Sequence, residues 1–295
     1  MTTNRRVRRA MRIAGRWLTC LIGGVLVAAP AAPPRLPRIL ALGDSLTRNG
    51  YASLVARDLR MNLVTAGIGG QNAAQVAARF GAIRTVAVVA DRRIVAGDND
   101  LTTLAPNLLA GSDRTTRSIA VRIDGISGTL TRSTDVAGIG HNRFRPDAGQ
   151  RVPHPVPPSV AVMVTPDPEP FDILLLCVGR NGATSDPERY LGLVNAIVAR
   201  AKTRARHVVL LNIPTSAKPE EAPGTPGHAR IAAINRALAA RYPDLILDID
   251  SIYAAAPAAR VRADPIHYNS AGARLWADAV TAFIRRKGWT GNRAR

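Results

Sequence analysis

Five near-continuous apolar runs, at residues 39–42, 63–66, 172–178, 207–213 and 245–249, constrain most strongly what this chain can fold into. Runs of this length without a polar alternation mark strands covered on both faces, as in a parallel sheet between two helical layers. Amphipathic stretches follow them. Asp186-Pro187 offers an N-cap and a first-turn proline ahead of a helix over 190–201, and Thr225-Pro226 does the same ahead of 231–241. Ser270 is the expected cap of a last helix through Leu275, Val280 and Phe283. The rhythm predicts an α/β fold built on an open parallel sheet with helices on both faces.

One region interrupts that rhythm. Between residues 82 and 170 no helical period appears; alternating segments at 85–89, 118–123 and 159–164 are separated by glycine, proline and aspartate turns. This stretch reads as a β-rich subdomain inserted into the sheet domain, which resumes over 171–288 after a first part over 35–81. The helix expected at 72–80 runs back from the sheet's C-terminal edge, so the insertion's roots are expected away from that edge. A small lid is then a poor description, and an accessory binding or oligomerisation module a better one. Phe144 is its only aromatic residue, so an aromatic sugar-stacking platform is not expected there.

The first 31 residues differ from the rest. Six arginines and no acids precede an apolar stretch over 17–29, and Ala29-Pro30-Ala31 offers a small-residue cleavage site. That is the layout of a bacterial secretory signal, and it predicts a secreted or envelope-associated protein. A retained anchor is the rival reading, although the apolar run is short for a span of about 20 residues. Removing the segment lowers the formal charge from +19 to +13, nearly all of it arginine. The excess fits either codon bias or attraction to an anionic cell-wall polymer. Arginines scattered without interleaved aromatics do not form a nucleic-acid recognition motif. Beyond the signal only Cys177 remains, inside an apolar run, so no disulfide framework is available and the thiol is expected to pack as a small hydrophobe.

Chemistry is concentrated at the C-terminal ends of the expected strands, where open α/β sheets place their sites. Gly43-Asp44-Ser45-Leu46 follows the first strand and puts a serine hydroxyl at the start of a helix. Asp264-Pro265-Ile266-His267 precedes the last helix, with a spacing that lets the carboxylate hold one imidazole nitrogen while the other faces Ser45. The remaining histidines (His141, His154, His207 and His228) show no metal-ligand spacing, so neither metal nor other cofactor is expected. Gly67-Ile68-Gly69-Gly70-Gln71 follows the second strand. Its backbone N–H groups can approach a ligand closely, and it lacks the lysine of a phosphate loop. Gly179-Arg180-Asn181 follows the third strand and adds a side-chain amide.

Taken together, these four blocks resemble those of the SGNH/GDSL-type hydrolases, esterases and lipases with a flavodoxin-like three-layer parallel sheet. The resemblance implies Ser45 as nucleophile, His267 as general base and Asp264 as its orienter. It further implies an oxyanion hole formed by the N–H groups of Ser45 and Gly70 with the Asn181 side chain. Two positions depart from the family pattern: Gly182 stands where Asp or Asn is common, and Thr65 where the second block often has Asn. The Gly-Arg-Asn form and the β-rich insertion also resemble some SGNH proteins encoded by actinobacteria and their phages, a likeness that suggests deacylation of surface carbohydrate. The expected activity is hydrolysis of carboxylic esters, with O-acetylated cell-surface carbohydrate as one candidate substrate. A catalytically weak binding module for cell-wall glycan on the same scaffold is the alternative.

Overall fold

The computed structural model describes residues 36–290, so the signal-like segment lies outside the described residues. Two strands come first, β1 (Arg38–Gly43) and β2 (Asn62–Gly67), with helices α1 (Ser45–Arg48) and α2 (Tyr51–Leu59) between them and α3 (Ala73–Arg79) after them. Eight strands follow without a helix: β3 (Thr85–Val89), β4 (Arg93–Ile94), β5 (Asn99–Ala105), β6 (Arg117–Ile123), β7 (Ile126–Thr134), β8 (Gly140–Pro146), β9 (His154–Pro155) and β10 (Val160–Val164). The α/β rhythm then resumes with β11 (Phe171–Cys177), α4 (Pro187–Ala201), β12 (Ala205–Leu211), α5 (Pro226–Arg241) and β13 (Ile246–Leu247). Three helices close the chain: α6 (Ile249–Ala254), α7 (Ala258–Val261) and α8 (Ser270–Arg286).

The parallel sheet has the order β13-β12-β11-β1-β2. Successive residues of its central strands face opposite layers, as the strand period of two requires. Ile39, Ala41, Ile173, Leu175, Val209 and Leu211 pack with residues of α2 and α8 such as Val55, Trp276 and Val280. Leu40, Leu42, Leu174, Leu176, Val208 and Leu210 pack with Val76, Val194 and Ile231 from α3, α4 and α5. Strands covered on both faces have no polar face to alternate with, which is why they read as apolar runs.

Within 85–164, six strands close a barrel in the order β10-β3-β5-β8-β7-β6, and β4 pairs with β9 beside it. Its interior is filled by Val121, Ile123, Leu130, Phe144, Val160 and Val162. Phe144 is buried, while its neighbours Arg143 and Arg145 turn outward to Asp100 and Asp98. The segment leaves the sheet domain after α3 and rejoins it at the N-terminal end of β11, so its roots are at the edge opposite the strands' C-terminal ends.

Two local expectations change. The fifth strand is only Ile246–Leu247, because Asp248 accepts the Ser251 N–H and caps α6, which turns Ile249 into helix. The last helix is capped by Asn269 rather than Ser270, its side chain accepting the Gly272 N–H at 3.0 Å. No helix among the described residues is long and apolar enough to cross a membrane.

Candidate active site

β1 ends at Gly43, where a Cβ would sit 2.0 Å from the Cys177 carbonyl oxygen, so only glycine allows β1 and β11 to approach so closely. Asp44 turns the chain and caps α1, its Oδ1 accepting the Leu46 N–H at 3.0 Å. Ser45 therefore opens α1 beside the crevice between β1 and β11. The chain turns from β1 to β2 on one side and reaches β11 on the other, the topological switch point of such sheets.

His267 meets Ser45 there. Its Nε2 lies 2.9 Å from Ser45 Oγ, and its Nδ1 lies 2.7 Å from Asp264 Oδ2. Asp264 Oδ1 accepts the backbone N–H groups of Ile266 at 2.7 Å and His267 at 2.8 Å. These donors, the His267 N–H foremost, hold the Asp264 carboxyl down at about 2. An ionised Asp264 accepts a hydrogen bond from Nδ1–H, which leaves Nε2 unprotonated and able to accept the Ser45 hydroxyl hydrogen.

The residue after His267 ties this loop to α1, which Ser45 opens. Tyr268 is buried and donates its hydroxyl to the Leu46 carbonyl. Its ring packs 5.0 Å from Trp276, which also contacts Tyr51 of α2 and Tyr253 of α6. Asn269 donates back to the carbonyls of Arg260 and Arg262. The loop carrying Asp264 and His267 is thus fixed at both ends.

Gly70 has φ +78°, a conformation that favours glycine, and a Cβ there would lie 2.8 Å from Ser112 Cβ. Asn181 Nδ2 donates to the Gln71 carbonyl at 3.0 Å. An amide nitrogen carries two hydrogens, so this bond orients the group and leaves a second donor. The bond holds Asn181 in place although Gly182, at φ +86°, follows it. Gly70 and Asn181 are thus joined through Gln71, while Ser45, His267 and Asp264 form one hydrogen-bonded line.

Further groups support these residues, of which Glu221 and the strap around it carry no sequence signal of their own. Arg180 makes a bidentate ion pair with Glu221, nearly buried on both sides, and also donates to the Pro214 carbonyl at 2.9 Å. Glu221 accepts the Ser216 N–H at 2.7 Å, and Ala217 N–H reaches the Pro265 carbonyl at 2.7 Å. The strap over 214–222 therefore links the Asn181 loop to the His267 loop. Asp44 is wholly buried, and its Oδ2 has no hydrogen-bond partner. Burial pushes its carboxyl up to about 6, against the opposing Leu46 N–H and the Arg180 charge.

The barrel also touches this end of the sheet. Ser112 N–H donates to the Gly69 carbonyl at 2.8 Å, and Gln71 Nε2 donates to the carbonyls of Leu108 and Ala110 at 2.9 and 3.0 Å. Arg48 of α1 pairs with Asp113. The roots of the 82–170 segment lie far from Ser45 as the sequence implies, but its β5–β6 loop returns to brace the second glycine block. A purely remote module is therefore the wrong picture.

No family model and no curated protein sequence matches the chain. Solved structures similar to it include a Slackia heliotrinireducens protein described as a candidate SGNH hydrolase, at 17% identity over 85% of this chain and 100% of that one, TM-score 0.49. A lipase/acylhydrolase from Enterococcus faecalis is 13% identical over 85% of this chain and 97% of its own, TM-score 0.48. An acetylxylan esterase from Geobacillus stearothermophilus is 14% identical over 87% and 97%, TM-score 0.45.

Proposed function

We propose that this chain is an exported serine esterase of the SGNH/GDSL type, hydrolysing carboxylic esters through an acyl-enzyme on Ser45. The observation that carries the proposal is the continuous line from Ser45 Oγ through His267 to Asp264, at 2.9 and 2.7 Å. In the first half-reaction the Ser45 oxygen attacks the ester carbonyl as its proton passes to His267 Nε2, and Asp264 stabilises the imidazolium. The tetrahedral oxyanion takes hydrogen bonds from the N–H groups of Ser45 and Gly70 and from the free N–H of Asn181. His267 returns its proton to the departing alcohol. In the second half-reaction His267 deprotonates a water that attacks the acyl-enzyme, and Ser45 is restored as the acid leaves.

The surface position of this site suits an alcohol part too large to be enclosed. The side chains of His267 and Asp264 are 31% and 50% exposed, so a polymer-borne ester, such as an O-acetyl group on cell-surface carbohydrate, can reach Ser45 without threading a channel. The barrel is read as an accessory subdomain inserted between the second and third blocks. It carries ten arginines against nine acids over 82–170, whereas 171–288 carries sixteen basic residues against ten acidic ones. An anionic wall polymer would accordingly meet the helical part of the sheet domain rather than the barrel.

Initial rates on p-nitrophenyl acetate, butyrate, octanoate and decanoate, measured beside Ser45→Ala, test the reading. Hydrolysis that falls with chain length and vanishes in the variant is expected. Equal rates for the two proteins would remove Ser45 from the reaction and favour the glycan-binding alternative.

A further inference from the structure

β2 is the edge strand of the parallel sheet, and a cavity of about 490 Å³ lies between it and the barrel strands β6 and β10. That volume is in the range of small-molecule sites, about 300–1,000 Å³. Neither Ser45 nor His267 lines it. Its walls are largely apolar, including Leu40, Leu42, Val64, Ile68, Phe80 and Ile119. Edge strands also leave every second backbone N–H without a partner in the sheet. Asn62 and Ile68 direct their N–H groups to the carbonyls of Pro37 and Gly43 beside them. By the strand period of two, Leu63, Thr65 and Gly67 point theirs away from β1, toward the cavity side.

Three arginines, Arg79, Arg117 and Arg204, line this cavity against one carboxylate, Asp167, and Arg204 donates to the Asp167 backbone carbonyl. Arg117 pairs with Asp113 at 2.5 Å, and Asp167 is held by Arg38 at 2.6 Å. Arg79 is only 8% exposed, yet among the described residues no carboxylate lies within ion-pair distance of it. Its Nε donates to Gln71 Oε1 at 3.0 Å, and its Nη2 to the carbonyls of Gly43 and Ala66 at 3.2 and 3.0 Å. All three acceptors are neutral. Nη1 makes no hydrogen bond among the described residues, and it is not among the fully enclosed unpaired atoms. Burying a guanidinium without a counter-charge is costly. Burial, with Arg117 nearby, pulls its affinity for the proton down to about 10. An arginine kept in that state, with a spare pair of N–H donors at the wall of an apolar cavity, fits an anion that arrives with an apolar tail.

We propose that the cavity between β2 and the barrel is a second binding site, for a singly charged carboxylate with a medium-length apolar tail, anchored on Arg79 Nη1. The tail lies along the apolar walls and the carboxylate supplies the missing counter-charge. The inference does not depend on the Ser45 reading. The same Arg79 touches Gly43, Ala66 and Gln71, the strand ends that carry both glycine blocks, so occupancy would brace the oxyanion side of the candidate active site from behind.

Decanoate is the probe, titrated calorimetrically into the full chain carrying Ser45→Ala. One decanoate per chain is expected, with acetate and decanol each weaker by at least about tenfold, because one lacks the tail and the other the charge. Arg79→Met should weaken decanoate by a similar factor. Since Arg79 is buried and its loss can unfold the chain, Thr165→Trp serves as the second variant. Thr165 is an exposed wall residue, and the indole would fill the cavity and abolish binding. Hydrogen exchange on the unsubstituted cavity gives a third reading, with protection on adding decanoate expected at residues 63–68. No binding, equal binding of decanol, undiminished binding to Thr165→Trp, or protection confined to residues 45–47 and 181 would each overturn the proposal.

Discussion

Replacing Asp44 by Asn should stabilise this protein at neutral pH and leave it unchanged in acid. Asp44 is wholly buried, with Oδ1 bonded to the Leu46 N–H and Oδ2 bonded to nothing. Its carboxyl is raised from 3.8 to about 6 by burial. The folded state therefore keeps the proton over a range where the unfolded chain has released it. Stability is highest below 3.8, falls as pH rises from 3.8 through about 6, and stays at the lower level above that. A rise from 3.8 to about 6 corresponds to about 3 kcal/mol. Asn keeps the Oδ1 acceptor for Leu46 and carries no charge to desolvate. Its NH₂ takes the place of an oxygen that was already unpaired, so the gain at pH 8 should approach but not exceed that figure. Urea unfolding of wild type and Asp44→Asn at pH 8 and at the lowest pH where both fold reversibly measures the difference directly. A variant no more stable than wild type at pH 8, or a gain that persists undiminished in acid, would refute the reasoning.

Three further outcomes follow from the same contacts. Asn181→Ala should lower turnover on p-nitrophenyl acetate by about 10²–10³ with little change in unfolding midpoint, since it removes one proposed oxyanion donor and one hydrogen bond to Gln71. Glu221→Gln leaves the buried Arg180 charge without its partner and should cost about 3 kcal/mol in urea unfolding. Burial raises the Glu221 carboxyl but its bond to Arg180 outweighs that, so its folded value lies below 4.5; the cost should shrink as pH falls below 4.5 and wild type loses the same charge. Trp276→Ala empties the space between Tyr51, Tyr253 and Tyr268 and should cost about 3–5 kcal/mol in urea unfolding, loosening the His267 loop with it.

What could be read in the sequence follows the range of the interactions. β1, β11 and β12 announce themselves because a strand between two helical layers has no polar face. Asp186 and Thr225 are read as caps because their hydrogen bonds reach only three residues ahead, to Arg189 and His228. Asp264 and His267 are legible for the same reason. Barrel closure is not legible. β8 offers one inward apolar side chain, Phe144, between outward arginines, and β7 packs Gly128 against that ring, where a Cβ would lie 2.6 Å from Phe144. Strands so thin in apolar residues give a weak alternation. Glu221, 41 residues from Arg180, and Tyr268, 222 residues from Leu46, act only through contacts that the fold creates. The cap of α8 is Asn269 and not the expected Ser270, because both side chains can cap and the carbonyls of Arg260 and Arg262 hold the asparagine in place.

Covalent labelling tests the role of Ser45 most directly. A nucleophile activated by His267 should react with a fluorophosphonate at neutral pH, and intact-mass measurement followed by peptide mapping should place a single adduct on Ser45. His267→Ala should slow the labelling by orders of magnitude, and Ser45→Ala should abolish it. An unmodified protein, or an adduct on another residue that persists in Ser45→Ala, would contradict Ser45 as the nucleophile.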